Sequence, residues 1–245
     1  LHTVPHELWL QDACEELISQ NIQFIGSLRK TSAISVFQKY VKAATYGNIP
    51  SKSVAGSLIS RDLFEKSEGF LKNVRAGEDW EWIKRLSQET NIVWSHEFAT
   101  EYQALPENLT SLIKKWASYS IENAKIDILS AEKSAYLFVL VASIASFAFS
   151  WNFLFTSDLW DQSPYFIPNL NKTLWTSTAI IYFLYRSLFR PLLLKESVRF
   201  LLPFNWLVVG LVGVIIDLSK APGRLIGFRY LFNKKLATKI KKEAQ

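Results

Sequence analysis

Between Ala135 and Phe155 the chain reads AYLFVLVASIASFAFSWNFLF, a stretch without a single charged residue. An α-helix needs about 20 consecutive apolar residues to cross the hydrocarbon core of a bilayer, so this run predicts a membrane-spanning helix. Lys125 and Lys133 precede it, whereas the loop that follows carries Asp158, Asp161 and Lys172 and is not basic. The positive-inside rule then puts residues 1–133 in the cytoplasm, anchored to an inner or plasma membrane as part of an integral membrane protein.

A second run, from Leu174 to Leu194, is apolar in its first half and holds Arg186, Arg190 and Pro191 in its second. At mid-bilayer each arginine would cost about 2.5–3.5 kcal/mol, but near a cytoplasmic end it can reach the headgroups. The run therefore reads as a helix returning to the cytoplasm. A third run, Phe200 to Ile216, is short and contains Pro203, Gly210 and Gly213. Three complete crossings would carry the basic tail outside, against the positive-inside rule, so either one run does not cross completely or the rule fails here; a cytoplasmic tail and a partly inserted segment are expected. The tail holds Lys220, Arg224, Arg229, Lys234, Lys235, Lys239, Lys241 and Lys242. After Gly223 it predicts an amphipathic interfacial helix on anionic lipid.

That tail carries much of the net charge of +6. The aromatic residues lie in apolar runs and are not interleaved with the basic ones, which argues for membrane lipids and against nucleic acid as the partner. Cys14 is the only cysteine, so an internal disulfide and a cysteine-ligated zinc site are excluded, and it reads as a small buried hydrophobe. The chain opens on Leu1 and has no methionine, so its start reads as internal, and residues 1–20 show no signal-peptide core.

Residues 1–133 are mixed and charged. Leu8, Trp9, Ala13 and Leu17 form a stripe that predicts a helix over 5–20. Strands are expected at 22–28, 53–60 and 92–98. Helices are expected at 34–44, from Asp62 to Lys66, at 79–89 and at 109–129. Strands alternating with helices imply a layered α/β domain.

Three stretches then follow in order: GSLISRDLF at 56–64, SEGF at 67–70, and GEDW at 77–80 with Arg85-Leu86 behind it. In this order they resemble the acceptor-side region of family 2 glycosyltransferases, which have the GT-A fold. There a strand of small residues, an Arg-x-x-Phe step and a Gly-Phe turn precede a Glu-Asp pair opening a helix. The resemblance covers roughly residues 5–130. It implies that Asp79 is the catalytic base of an inverting sugar transfer, with Glu78 placing the acceptor or orienting Asp79. It also implies acceptor contacts from Gly56, Ser57, Arg61 and Trp80. A base of this kind must be ionised to take the acceptor's proton, and a helix N-terminus favours the charged carboxylate. Arg75 would add to that if turned inward. The bland alternative is that acids in a first helical turn merely offset exposed N–H groups, with Glu81 and Arg85 an ordinary i,i+4 pair.

The expected architecture is therefore an α/β partial GT-A-like domain followed by α-helical transmembrane segments. Residues 1–106 form the acceptor-side part and 107–133 amphipathic interfacial helices. Residues 134–216 form a membrane region of two to three helices, and 217–245 a basic amphipathic tail. The SLIKKW segment, 111–116, only faintly resembles the Gln-x-x-Arg-Trp motif of processive synthases. Lys114, Lys115 and Trp116 read as an interfacial anchor, and single-sugar transfer is expected. The family also holds its nucleotide-sugar with a divalent Mg or Mn bound by an Asp-x-Asp motif, and none occurs here. PHELWL, residues 5–10, looks like the helix that follows that motif. The chain is then expected to bind no metal by itself and to be inactive alone, the missing half being supplied by another chain or lost through a truncated reading frame. The acceptor would be a lipid or glycan hydroxyl.

Two rival functions remain at the level of sequence. One is a non-enzymatic membrane adaptor. The other, a small transporter subunit, is disfavoured by the few crossings and the lack of charges away from helix ends. His2, His6 and His96 have no paired ligands, Trp80 and Trp82 sit at a spacing typical of core tryptophans, and the sequons at Asn108 and Asn171 read as chance.

Overall fold

The computed structural model describes residues 3–5, 7–71, 74, 76–125, 141 and 170–232. Nearly all of the first apolar run, the loop carrying Asp158 and Asp161, and the tail from 233 fall outside these residues. So do Arg75, His2 and His6.

The first part is built on a four-stranded mixed sheet: β1 (Thr3–Pro5), β2 (Phe24–Thr31), β3 (Ser51–Ile59) and β4 (Val93–Tyr102), in the order β1-β4-β2-β3. β4 runs parallel to β2, while β1 and β3 run antiparallel to their neighbours. Both β2 ladders change register around Gly26, where the strand closes onto the Trp94 ring. Pro5, expected to open a helix, ends the edge strand β1 instead. A residue without an N–H is tolerated at a sheet edge.

The first helix, α1 (Trp9–Ser19), buries Ala13 against Ile25, with Trp9 and Leu17 beside them. Leu8, expected in that stripe, precedes the helix and is exposed, and Cys14 is half-buried rather than enclosed. α2 (Val36–Thr45) starts on a capping box: Ser35 Oγ accepts from the Gln38 N–H, and the Gln38 side chain accepts from the Ser35 N–H. α3 (Arg61–Lys66) is capped by Ser60, α4 spans Glu78–Glu89, and α5 spans Leu109–Lys125. A small core of Phe24, Leu63, Trp82, Ile83 and Leu86 fixes α4 to the sheet.

The apolar half contributes α6 (Leu170–Leu184), a π-helical turn (Tyr185–Phe189) and α7 (Arg190–Leu193). These follow the expected second run. The π turn comes just before Pro191, whose missing N–H and bulky ring disturb the α-helical ladder one turn back. The expected third run is split at Pro203 into α8 (Val198–Leu201) and α9 (Asn205–Ser219), after which α10 spans Ala221–Phe232. Among the described residues one helix, Asn205–Ile226, is long and apolar enough to cross a bilayer by length and composition. α10 begins before Gly223, and its apolar and basic residues do not segregate onto opposite faces. It packs along α5, and the expected free amphipathic helix is not formed over this span.

The two halves share a core. Val41, Ala43 and Ala44 of α2 and Leu112 of α5 pack with Leu201, Val209, Val212 and Ile216. Tyr40 donates to Asn205 Oδ1 at 3.0 Å, and Asn48 reaches the Leu194 and Lys195 carbonyls.

Candidate functional site

Gly77 opens α4 in the left-handed region, with φ near 84°, and the next two residues are Glu78 and Asp79. That backbone state costs glycine little and other residues more. The turn before it is tied to the helix. Arg85, ion-paired with Glu81 at 2.9 Å, donates from Nη1 to the Ser67 carbonyl and from Nη2 to the Gly69 carbonyl at 2.6 Å. Trp82 Nε1 donates to Ser67 Oγ at 2.8 Å, and its buried ring is flanked by Phe24, Phe64 and Phe70. The SEGF turn and the GEDW helix are thereby one unit.

The two acids differ in environment. Asp79 is half-buried, and its Oδ1 accepts from the N–H of Trp80 at 2.8 Å, a bond within its own helix start. Glu78 Oε2 is sealed from solvent and accepts no hydrogen bond among the described residues. Burial pushes the Glu78 carboxyl above its usual range. Its own backbone N–H partly offsets this, and the charges of Asp79 and of Glu122 on α5 add to it.

The other anticipated residues are engaged locally. Gly56 lies at φ near 81° within β3, and its carbonyl accepts from Trp9 Nε1 at 2.8 Å. Ser57 Oγ donates to the Ser53 carbonyl at 3.1 Å. Arg61 is exposed and paired with Glu65 at 2.8 Å. Trp80 is half-exposed and tilted against Trp94. No hydrogen bond or ion pair joins these four side chains to either carboxylate among the described residues, except the backbone bond from Trp80 to Asp79.

Open cavities lie among the described residues, two of them near the sheet. One, of about 530 Å³, lies among Asp12, Lys30, Ser32, Lys42, Asn48 and Glu101. The other, of about 660 Å³, lies among Lys52, Trp80, Ile83, Gln88, Asn91 and Trp94. Neither is lined by Glu78 or Asp79. Among the described residues no three of His, Cys, Asp and Glu converge as a metal ion requires.

Sequence reasoning did not single out Arg29. Its guanidinium lies 4.9 Å from the Tyr102 ring centre and 5.5 Å from that of Tyr46. Lys115, expected at the lipid surface, instead turns inward, donating to Tyr102 Oη and to the Ala104 carbonyl at 2.7 Å. Burial lowers its ammonium pKa, Tyr119 partly offsets this and Arg29 adds to it. Burial likewise pushes Tyr46 up to about 12. Neither cation forms an ion pair among the described residues. The one sequence signal was the pair of basic residues, Arg29 and Lys30, that ends the stretch FIGSLRK.

No family model matches the chain, and no curated protein matches it.

Proposed function

We propose that this chain is the acceptor-binding and membrane-anchoring part of an inverting family 2 glycosyltransferase, working at the cytoplasmic face on a lipid or glycan hydroxyl. The observation that carries the reading is the joining of SEGF to GEDW through Arg85 and Trp82. Motifs that resemble the family in sequence order are thus braced together, and the helix they brace opens on two carboxylates.

In the transfer, the acceptor oxygen bonds to the anomeric carbon of the sugar as the bond from that carbon to the nucleoside diphosphate breaks. The diphosphate departs with the electron pair, and the acceptor's proton goes to a carboxylate. Asp79 has the role of base. Its Oδ1 is engaged by Trp80, which leaves Oδ2 for the acceptor. Glu78, held toward its protonated form, positions the acceptor or its neighbour. The nucleotide site, with its Mg or Mn, belongs to a half outside these residues.

A second reading, a membrane adaptor without chemistry, is favoured by a specific observation. Asp79 bonds within its own helix start and lines neither cavity. The two readings separate in membranes containing this chain together with a nucleotide-binding half. Asp79→Asn is expected to lower sugar transfer by about 10²–10⁴-fold while nucleotide-sugar binding stays nearly unchanged. Undiminished turnover in that variant leaves the adaptor.

A further inference from the structure

We propose that the cleft between the C-terminal half of α4 and the sheet binds a neutral oligosaccharide, whose sugar rings lie on Trp80 and Trp94. A glycan held here serves a transferase and an adaptor alike, so the site stands apart from any role of Asp79.

The cavity of about 660 Å³ falls within the roughly 300–1,000 Å³ of small-ligand sites. Trp80 is 49% exposed, although Trp82 of the same helix is shut in the core. Its ring lies 6.5 Å from that of Trp94, centre to centre, with a tilt of 34°. Trp94 is held fast: Phe24 meets it edge-to-face at 6.2 Å, and a methyl group at Gly26 would collide with it. The aromatic floor is therefore in place before a ligand arrives, which lowers the ordering cost of binding.

Gln88, Thr90 and Asn91 stand around this floor. Their side chains make no hydrogen bond among the described residues, and neither does the indole N–H of Trp80. Each of the two amides offers donors and an acceptor. α4 also ends here. Its carbonyls at Ser87, Gln88 and Glu89 lie beyond the reach of the helix's own N–H groups, and no turn or loop N–H meets them among the described residues.

A pyranose ring matches this combination. One face carries C–H groups, which the electron-rich face of an indole attracts, and its rim carries hydroxyls that both donate and accept. Hydroxyls can donate to the open carbonyls, which the oxygens of an anion cannot. The C-terminus of α4 is the negative end of its dipole and has no basic residue in its last turn. Among the lining residues Lys52 and Glu89 cancel in charge, and the Lys52 ammonium already lies 5.4 Å from the centre of the Trp94 ring. A nucleotide would find an aromatic face here but no seat for its phosphate. An apolar helix or acyl chain would bury the amides and carbonyls unpaired, at about 1–3 kcal/mol each. From Trp80 to Glu89 the helix rises about 14 Å, long enough to seat more than one ring.

The test uses the full chain in micelles of lauryldimethylamine oxide, whose headgroup carries no sugar. Saturation-transfer NMR is run with cellotetraose, maltotetraose and tetra-N-acetylchitotetraose as probes. At least one of the three is expected to receive saturation on its ring C–H protons. Trp80→Ala is expected to weaken that binding about tenfold, and Trp80→Phe to restore most of it. The double variant Gln88→Ala/Asn91→Ala, which alters two exposed side chains, is expected to weaken it by about the same factor. Phe204→Ala, at an exposed aromatic residue outside the cleft, binds as wild type does. Uridine monophosphate does not displace the sugar. Saturation of none of the three probes overturns the proposal. So does unchanged binding in both the Trp80→Ala and the double variant, and so does uridine monophosphate binding more tightly than the sugars in a Trp80-dependent way.

Discussion

At position 78 a carboxyl oxygen is shut away from water with no donor among the described residues to meet it, and one residue later the neighbouring carboxylate is held by a backbone N–H. Because the folded-state pKa of Glu78 is raised, the folded chain holds that proton more tightly than the unfolded one does. Its contribution to stability is fully present below the unfolded value, near 4.3, and is lost as pH rises through the folded one. Glu78→Gln is therefore expected to melt close to wild type at about pH 4 and above it at about pH 8. Tryptophan fluorescence in detergent micelles measures this, and a difference that does not grow with pH would mean water reaches the carboxylate. The Glu81–Arg85 pair was legible from its spacing alone. The second task of Arg85, bracing the carbonyls of Ser67 and Gly69, was not, since a carbonyl acceptor has no side-chain signature. Trp80 and Trp82 look alike in sequence, and what separates them is which face of α4 the aromatic cluster covers.

At the scale of elements, periodicity located α2, α4 and the strands to within a few residues. It missed β1, because three residues carry no period and an edge strand is defined by its partner. Close approach was equally invisible. A side chain at Gly223 would collide with the backbone of Ser120, where Ser120 Oγ also donates to the Lys220 carbonyl at 2.6 Å. Gly223→Val is expected to prise α10 from α5 and to cost about 1–3 kcal/mol, seen as a lowered melting temperature. Arg186 is 2% exposed and paired with Asp217 at 2.9 Å. Asp217→Leu leaves the guanidinium buried and uncompensated, an expected loss of about 3–5 kcal/mol, and adding Arg186→Met should restore most of it. A double variant as unstable as the single one would show that the pair does more than neutralise itself.

For the whole molecule, composition suggests a division near residue 133, but the packing does not respect it. The core joining Val41 and Leu112 to Val209, Val212 and Ile216 leaves residues 1–133 with an uncovered apolar face when expressed alone. That piece is expected to aggregate or to need detergent, measured by size-exclusion chromatography with light scattering. A well-behaved monomer would show the shared core to be dispensable. Leu112→Ala in the full chain should cost about 2–5 kcal/mol and loosen both halves together. Sequence patterns report which residues avoid water, and they do not distinguish a lipid neighbour from a helix of the same chain.

The Arg186–Asp217 pair also sets a condition on synthesis. The arginine leaves the ribosome 31 residues ahead of its aspartate. At about 5–20 residues per second the nascent chain spends some seconds with that guanidinium uncompensated. During that interval the buried contact that Arg186 makes in the finished fold has no counterion.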